Sequence, residues 1–418
     1  MQKISKWIAC SLFFPGGLFA GGFQLNVQGQ KAISMGGAST AFSKDASTVF
    51  FNPGGMAFLD NKFNFTGGAC IIIPHVFLQT AATANTVLTS PVGTPIQFYG
   101  AAKVSDKVSL GFAVNNQFGS TSSFDNNWEG KYIVQKLALK TFMYQPTVSY
   151  QICDRLGIGA GFVYTSGSFE YQKAIPVATA EYDNGEVSLQ GSGFGVSYNF
   201  GMQGVILKKD TAKFLSLLKA GFSYRSPIKL ALVNGTAKFS DVSVALRDKF
   251  PEQTTFNSQL TLPGVISIGL QANLYINEKI DVDVAFDFNR TMWSSYDSLV
   301  IDFSNANSPD AHTGKKWKDV STFRLGAGLN YNKWISVRLG AYYDQTPIPD
   351  GYVSPELPDN NNVGFTAGVG MKMTKNLSVD VSWLLSDYER KATLDDAGFE
   401  ATYHRTVNVI GVGLNYTF

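Results

Sequence analysis

The sequence predicts an all-β protein, a transmembrane antiparallel β-barrel of about fourteen strands. Three observations carry that expectation. Charged residues make up 16% of the 418-residue chain, against roughly 25% in an ordinary soluble domain. Mean hydropathy is nonetheless -0.01, and past the N-terminus no apolar run reaches the roughly 20 residues of a membrane helix. Apolar residues instead alternate with small or polar ones at a period of two, and short polar turns take turns with long polar loops. The 13% aromatic content and 41 glycines suit a wall with a greasy outer face and a crowded inner one.

The chain opens on an export signal. Lys3 and Lys6 precede an apolar stretch over 7–19, and Ala20 supplies a small residue for cleavage. Cys10 follows Lys6 too closely to serve as a lipoprotein acceptor. Residues 1–20 are therefore set outside the fold, and the mature chain begins Gly21-Gly22-Phe23. Residues 21–58 carry no alternation long enough to span a membrane. They hold Met35-Gly36-Gly37-Ala38-Ser39, then Asp45-Ala46-Ser47, then Asn52-Pro53-Gly54-Gly55. Small residues at that density permit short helical turns to pack in a confined space.

The region 59–418 reads as strands. Leu156, Ile158, Ala160, Phe162 and Tyr164 alternate with glycines, and Val282, Val284, Phe286 and Phe288 alternate with Asp281, Asp283 and Asp287. Tight turns fall at 105–107, 153–155, 208–213, 277–279, 332–333 and 374–376. Longer polar stretches fall at 76–94, 116–137, 174–185, 231–260, 293–319, 346–361 and 391–400. These connections join about fourteen strands, an even number with short periplasmic turns and long extracellular loops. The sheet must close, because an open edge would leave backbone groups unpaired in hydrocarbon. The last strand alternates Ile410, Val412, Leu414, Tyr416 and Phe418 with small or polar residues. Its aromatic end, Tyr416 and Phe418, reads as the signal that barrels present to their assembly machinery.

A net charge of +2 without a basic cluster argues against nucleic acid as a partner. Cys70 and Cys153 form no CxxC spacing, and His75, His312 and His404 show no ligand spacing, so no metal is expected. Neither Gly-x-Ser-x-Gly nor a phosphate loop occurs, so neither an enzyme nor a cofactor is expected.

The stretch before the first strand carries a family resemblance. Gly22-Phe23-Gln24-Leu25-Asn26, Asp45-Ala46-Ser47 and Asn52-Pro53-Gly54 resemble the opening of the FadL/TodX outer-membrane transporters of fatty acids and hydrocarbons, whose motif is Asn-Pro-Ala. The likeness continues through Ser223-Tyr224-Arg225-Ser226-Pro227, Leu260-Thr261-Leu262-Pro263 and Tyr343-Asp344-Gln345-Thr346-Pro347. It implies a fourteen-stranded monomeric barrel in the outer membrane of a Gram-negative bacterium, with residues 21–58 as a hatch inside the lumen. It also implies passive transport of a hydrophobic molecule, probed by the hatch and released sideways into outer-membrane lipid at a kink in the third strand. Here that strand covers 108–118, and Asn115, Asn116 and Gly119 break its rhythm. A strand that simply ends in a loop accounts for the same residues.

Candidate ligand-binding residues follow. Phe23 and Leu25 are hatch residues placed to touch ligand. Lumen cations able to meet a carboxylate are Lys219, Arg225, Arg324 and Arg338. Lys318, in Trp317-Lys318-Asp319, matches a pocket lysine of the family, whereas the family's basic residue on the fifth strand is replaced in Thr165-Ser166-Gly167-Ser168. Pairing of Arg324 and Arg338 with the aspartates of 281–287 is the competing expectation. Asn52, Pro53 and Gly54 form the hatch-to-strand turn. Apolar loop residues Ile133, Leu137, Leu139, Val242, Val244 and Leu246 either capture ligand or pack as a lid. A water-filled porin, an aromatic-hydrocarbon channel and a surface adhesin are the alternatives.

Overall fold

The computed structural model describes residues 21–418, apart from 84, 85, 89, 178–181 and 210–213. The expected signal peptide, 1–20, lies outside the described residues. The wall has fourteen antiparallel strands. They are β1 (Phe63–Gln79), β2 (Ile96–Lys103), β3 (Val108–Asn115, resumed as Gly119–Ser123), β4 (Lys136–Cys153) and β5 (Leu156–Ile175). Next come β6 (Gly185–Lys208), β7 (Leu215–Arg225, resumed as Ile228–Ser240), β8 (Gln253–Leu262, resumed as Val265–Asn277) and β9 (Ile280–Thr291). The last are β10 (Val320–Tyr331), β11 (Ile335–Asp344), β12 (Asn362–Lys372), β13 (Leu377–Leu394) and β14 (Phe399–Thr417). β14 closes on β1 from Asn64↔Thr417 to Gln79↔Thr402, so the sheet has no lipid-facing edge there.

The period of two sorts the side chains. Phe162, Val196, Leu325, Leu339, Phe365 and Val412 are exposed on the outer face, where a bilayer would cover them. Their strand neighbours Gln203, Gln271, Asp283, Arg324, Arg338 and Asp380 are buried in the lumen. At the closing seam Phe418 stacks on Phe63 at 4.7 Å, and its N–H donates to the Phe63 carbonyl.

Residues 21–58 fill the lumen. They form α1 (Gln30–Ser34), α2 (Thr48–Phe51) and a 3-10 turn (Pro53–Phe58). Glycines of the wall make room for them. A Cβ on Gly326 or Gly340 would meet the Met35 backbone at 2.4 and 2.5 Å, and one on Gly159 would meet Pro53 at 2.6 Å. Many of the wall's inward glycines thus stand where the segment touches it, since any side chain there would displace one or the other.

Two expectations are corrected. The strands run well beyond the predicted loop boundaries: the upper arms of β7 and β8 occupy most of 231–260, and Gly119–Ser123 lies inside 116–137. Above the bilayer the outward residues of β8 become polar (Thr255, Asn257, Thr261) while Phe256, Leu260 and Leu262 stay buried. A strand arm that is polar on its outward side has the composition of a loop, which is why the strand bounds lie beyond the expected ones. The third strand also stops at Asn115 before it resumes. Of the apolar loop residues, Leu137, Leu139 and Val242 are buried, while Val244 is 88% exposed.

The expected pairing of β9 aspartates with Arg324 and Arg338 takes another form. Arg338 pairs with Asp380 at 2.6 Å. Asp283 pairs with Lys44 at 3.2 Å, and Asp287 accepts the N–H groups of Ser39 and Thr40 at 2.7 and 2.8 Å. The acids of β9 hold the lumenal segment, because its exposed N–H groups and lysine reach them first.

Candidate functional site: the interrupted third strand and its cavity

The lower part of β3 is paired on both sides, with β2 from Lys103↔Ser109 to Gln97↔Asn115 and with β4 from Val108↔Tyr150 to Asn115↔Met143. Its upper part, Gly119–Ser123, pairs with β4. Between the two, β3 advances from 115 to 119 while β4 goes from 143 to 140, so one extra residue is bulged out of the ladder. The chain above β2 turns away toward β1, where the Cys70 N–H donates to Pro95 and the Ile72 N–H to Gly93. Above Asn115 the wall is therefore parted between β2 and β3.

Asn116 caps both edges of the gap. Its Oδ1 accepts the Ile96 N–H at 2.9 Å and its Nδ2 donates to the Thr141 carbonyl at 2.6 Å. The lumenal segment leans on the same place. The Leu25 N–H donates to Gln117 at 2.8 Å, the Gly119 N–H to Phe23 at 2.9 Å, and Gln28 Nε2 to Asn116 at 2.8 Å. Asn115, buried beside them, has no hydrogen-bond partner among the described residues for either side-chain polar atom.

A cavity of about 600 Å³ occupies the gap. Its lining mixes inward residues (Leu25, Val76, Phe118, Leu139) with the outward Phe142 and Lys140, so it crosses the wall. Three cations line it: Lys136, Lys140 and Arg405. Lys136 is paired with Glu170 at 2.7 Å. Arg405, on β14 in step with the buried Tyr403 and Val407, lies over the Tyr388 ring at 6.0 Å. Among the described residues no carboxylate makes an ion pair with it. Leu25, Ile72 and Arg405 also line a second cavity of about 110 Å³ beside Gly21 and Asp359.

The other candidates are spread around this cavity. Phe23 is buried in an aromatic box, stacked on Trp317 at 5.7 Å with Tyr296 at 6.0 Å and Trp293 at 6.4 Å. Arg225 donates to the Phe50 carbonyl and Gln145, both at 3.0 Å, and Arg324 donates to Gly36 and Asn26 at 3.2 and 3.0 Å. Both arginines line a separate space of about 70 Å³ and tie down the lumenal segment. Trp317 takes the inward position beside Phe23, which leaves Lys318 exposed and away from the large cavity. Asn52 is buried, donating to Thr40 at 2.7 Å and Met202 at 3.0 Å while accepting the Gly54 N–H. Gly54 stands where a Cβ would lie 2.7 Å from the Gly157 carbonyl, so an alanine there meets the wall. Sequence reasoning missed Arg405. Strand parity with Tyr403 and Val407 was the signal that could have found it.

Comparison with known proteins agrees with this architecture. The profile of the outer membrane protein transport protein family (OMPP1/FadL/TodX) matches residues 13–418. Outer membrane protein P1 of Haemophilus influenzae is 24% identical, with 100% of both chains covered. The long-chain fatty acid transport protein of Escherichia coli K12 is 20% identical, covering 96% of this chain and 95% of that one. Among solved structures, a Pseudomonas aeruginosa FadL homologue superposes with a TM-score of 0.80 at 16% identity, covering 95% of this chain and 100% of the other. The Pseudomonas putida toluene transporter TodX superposes at 0.72 and 16% identity, covering 95% and 99%. The chain belongs to the OMPP1/FadL/TodX family of outer-membrane transport proteins, and it is a β-barrel of the Gram-negative outer membrane.

Proposed function

We propose that the protein carries long-chain fatty acids passively from the outside into the outer membrane, leaving the barrel sideways through the gap between β2 and β3. The observation that carries this reading is a cavity through the wall that is mostly apolar yet is lined by the Arg405 guanidinium, which no carboxylate among the described residues holds in an ion pair. An alkyl chain gains about 0.8 kcal/mol per methylene removed from water, so the lining needs no specific bonds along the chain. The head group is different. A buried carboxylate is tolerated only with a charged, hydrogen-bonding partner, and an arginine offers a planar fork to both oxygens.

In this reading residues 21–58 act as a hatch on the mature chain. Phe23 and Leu25 sense the ligand, because their backbone groups are bonded to the bulge. Displacing them frees Gln117 and Gly119 and alters the gap. Arg225 and Arg324 hold the hatch rather than the ligand. The same route would serve a hydrocarbon, and the aromatic box around Phe23 favours a monoaromatic as the second reading.

The test is native mass spectrometry of the detergent-purified barrel with oleate, then uptake of labelled oleate by cells lacking their own transporter. Arg405→Ala should lower oleate uptake about tenfold, the worth of one charge-assisted hydrogen bond of about 1.4 kcal/mol, and leave toluene uptake within about twofold. Equal loss of both would remove the carboxylate reading. An empty barrel that conducts ions and transports neither compound would favour the porin.

A further inference from the structure

We propose that the structure holds a built site for the α-ammonium group created when the leader is removed, with Asp359 as its counter-ion. Both nitrogens at the start of the mature chain point at one carboxylate: Gly21 N lies 3.3 Å and Gly22 N 3.4 Å from Asp359 Oδ2. Asp344 flanks the same spot, since a Cβ built on Gly21 would lie 3.5 Å from its Oδ2. Each aspartate is 3% exposed. Asp344 Oδ1 accepts the Thr322 hydroxyl and Asp359 Oδ2 accepts the Thr346 hydroxyl, so both are oriented. Among the described residues neither makes an ion pair. Arg405 lends charge to Asp359 from beyond ion-pair distance, and burial pushes the Asp359 carboxyl above the ordinary carboxylate range.

Two buried carboxylates without a paired cation are costly, and the start of the uncleaved segment adds only the amide N–H groups of Gly21 and Gly22 to the two threonine hydroxyls. Cleavage changes the chemistry. Hydrolysis of the Ala20–Gly21 bond consumes one water, leaving a carboxylate on Ala20 and an amine on Gly21. That amine takes up a proton at neutral pH. A single donor becomes three donors and a unit positive charge, placed against Asp359.

The loop carrying Asp359 is itself anchored. Arg390 donates to the Asp359 carbonyl at 2.5 Å and to the Ile348 carbonyl at 3.1 Å, and pairs with Asp350 at 2.8 Å. Gly22 admits no side chain: its φ is +55°, and a Cβ would lie 2.7 Å from both Trp293 and Trp317. The ammonium therefore sets where Phe23 enters its aromatic box, and processing of the leader becomes a step that completes the hatch.

The experiment reads amine chemistry, not transport, so it stands apart from the fatty-acid reading. The purified mature barrel is treated at pH 8 with an acetyl N-hydroxysuccinimide ester, and α-amine acetylation is followed by peptide mass spectrometry. We expect the mature chain to begin at Gly21 and its amine to react at least tenfold more slowly in the folded barrel than after boiling in detergent. Asp359→Asn should restore most of the lost rate. An additional alanine before Gly21, which leaves Asp359 intact and moves the ammonium by about 3.8 Å, should do the same. Heat-modifiable gel mobility reports folding of each. A different first residue, or a folded wild-type amine that reacts like the unfolded one, overturns the proposal. So does a folded variant of either kind that reacts as slowly as wild type.

Discussion

Among the described residues strands of the wall break in two regions, and at one of them the ladder is left parted. At β3 a single strand breaks while its neighbour β2 follows β1 away, so the ladder parts above Asn115. On the other side β7 breaks at Ser226-Pro227 and β8 at Pro263-Gly264. There the two strands break together. Their upper arms stay paired with each other from Ile228↔Leu262 to Lys238↔Gln253, and β7 stays paired with β6. The Met292 N–H donates to the Gly264 carbonyl and the Ser226 N–H to the Tyr198 carbonyl, sealing the joint. A break shared by two adjacent strands bends the sheet as a hinge, while a break in one strand leaves its neighbour's edge unpaired.

This contrast can be broken experimentally, most strongly at the bulge. Deleting Asn116 removes the extra residue and the side chain that caps both edges of the gap. Oleate uptake should fall more than about tenfold while the barrel remains heat-modifiable, since bulges re-aim a strand without carrying the fold. Normal uptake would dissociate transport from the gap.

Next comes the turn at Asn52 and Pro53. Gly201→Ala puts a Cβ 2.2 Å from Asn52 Oδ1 and 2.6 Å from Pro53. Overpacking of this kind costs about 1–3 kcal/mol, and uptake should fall severalfold with surface levels unchanged. Gly204→Ala is the control, its nearest neighbour being the Arg155 carbonyl at 3.9 Å. Equal behaviour of the two variants would mean that the fit of Asn52 and Pro53 against the wall is immaterial to transport.

The closing seam offers a third test. Removing Phe418 deletes the ring stacked on Phe63 and the backbone exchange with it. Surface levels, read by cell-surface labelling, should drop by about half or more, whereas uptake per inserted barrel stays constant. The smallest effect is expected at the sealed break. Pro227→Ala leaves both upper arms paired, so uptake should change by less than about twofold. A larger loss would show that the second interruption also moves during transport.

Much of the wall was legible because a half-buried strand writes its two faces into alternate residues. Val282 to Phe288 and Ile410 to Phe418 were read correctly from that rule alone. The same rule failed above the bilayer, at Thr255, Asn257 and Thr261, where both the outer face of a strand and a loop are polar. The family strings marked the turn at Asn52-Pro53-Gly54 ahead of the first strand, but not what it touches. Lys318 and Arg405 show the limit. Lys318 stands in a motif and turns out exposed because Trp317 fills the inward place. Arg405 stands in no motif and lines the cavity.

The sequence by itself pointed to the class of solvent around this protein, since low charge, period-two alternation and short turns alternating with long loops together fit a barrel in lipid. It also determined that strands pair with their chain neighbours and that residues 21–58 lie outside the wall's pattern. Only the tertiary structure decided which cations line the gap, which acids hold residues 21–58 and which break leaves the ladder parted. Those depend on register between strands far apart in sequence, where a shift of one residue turns a side chain from lumen to lipid.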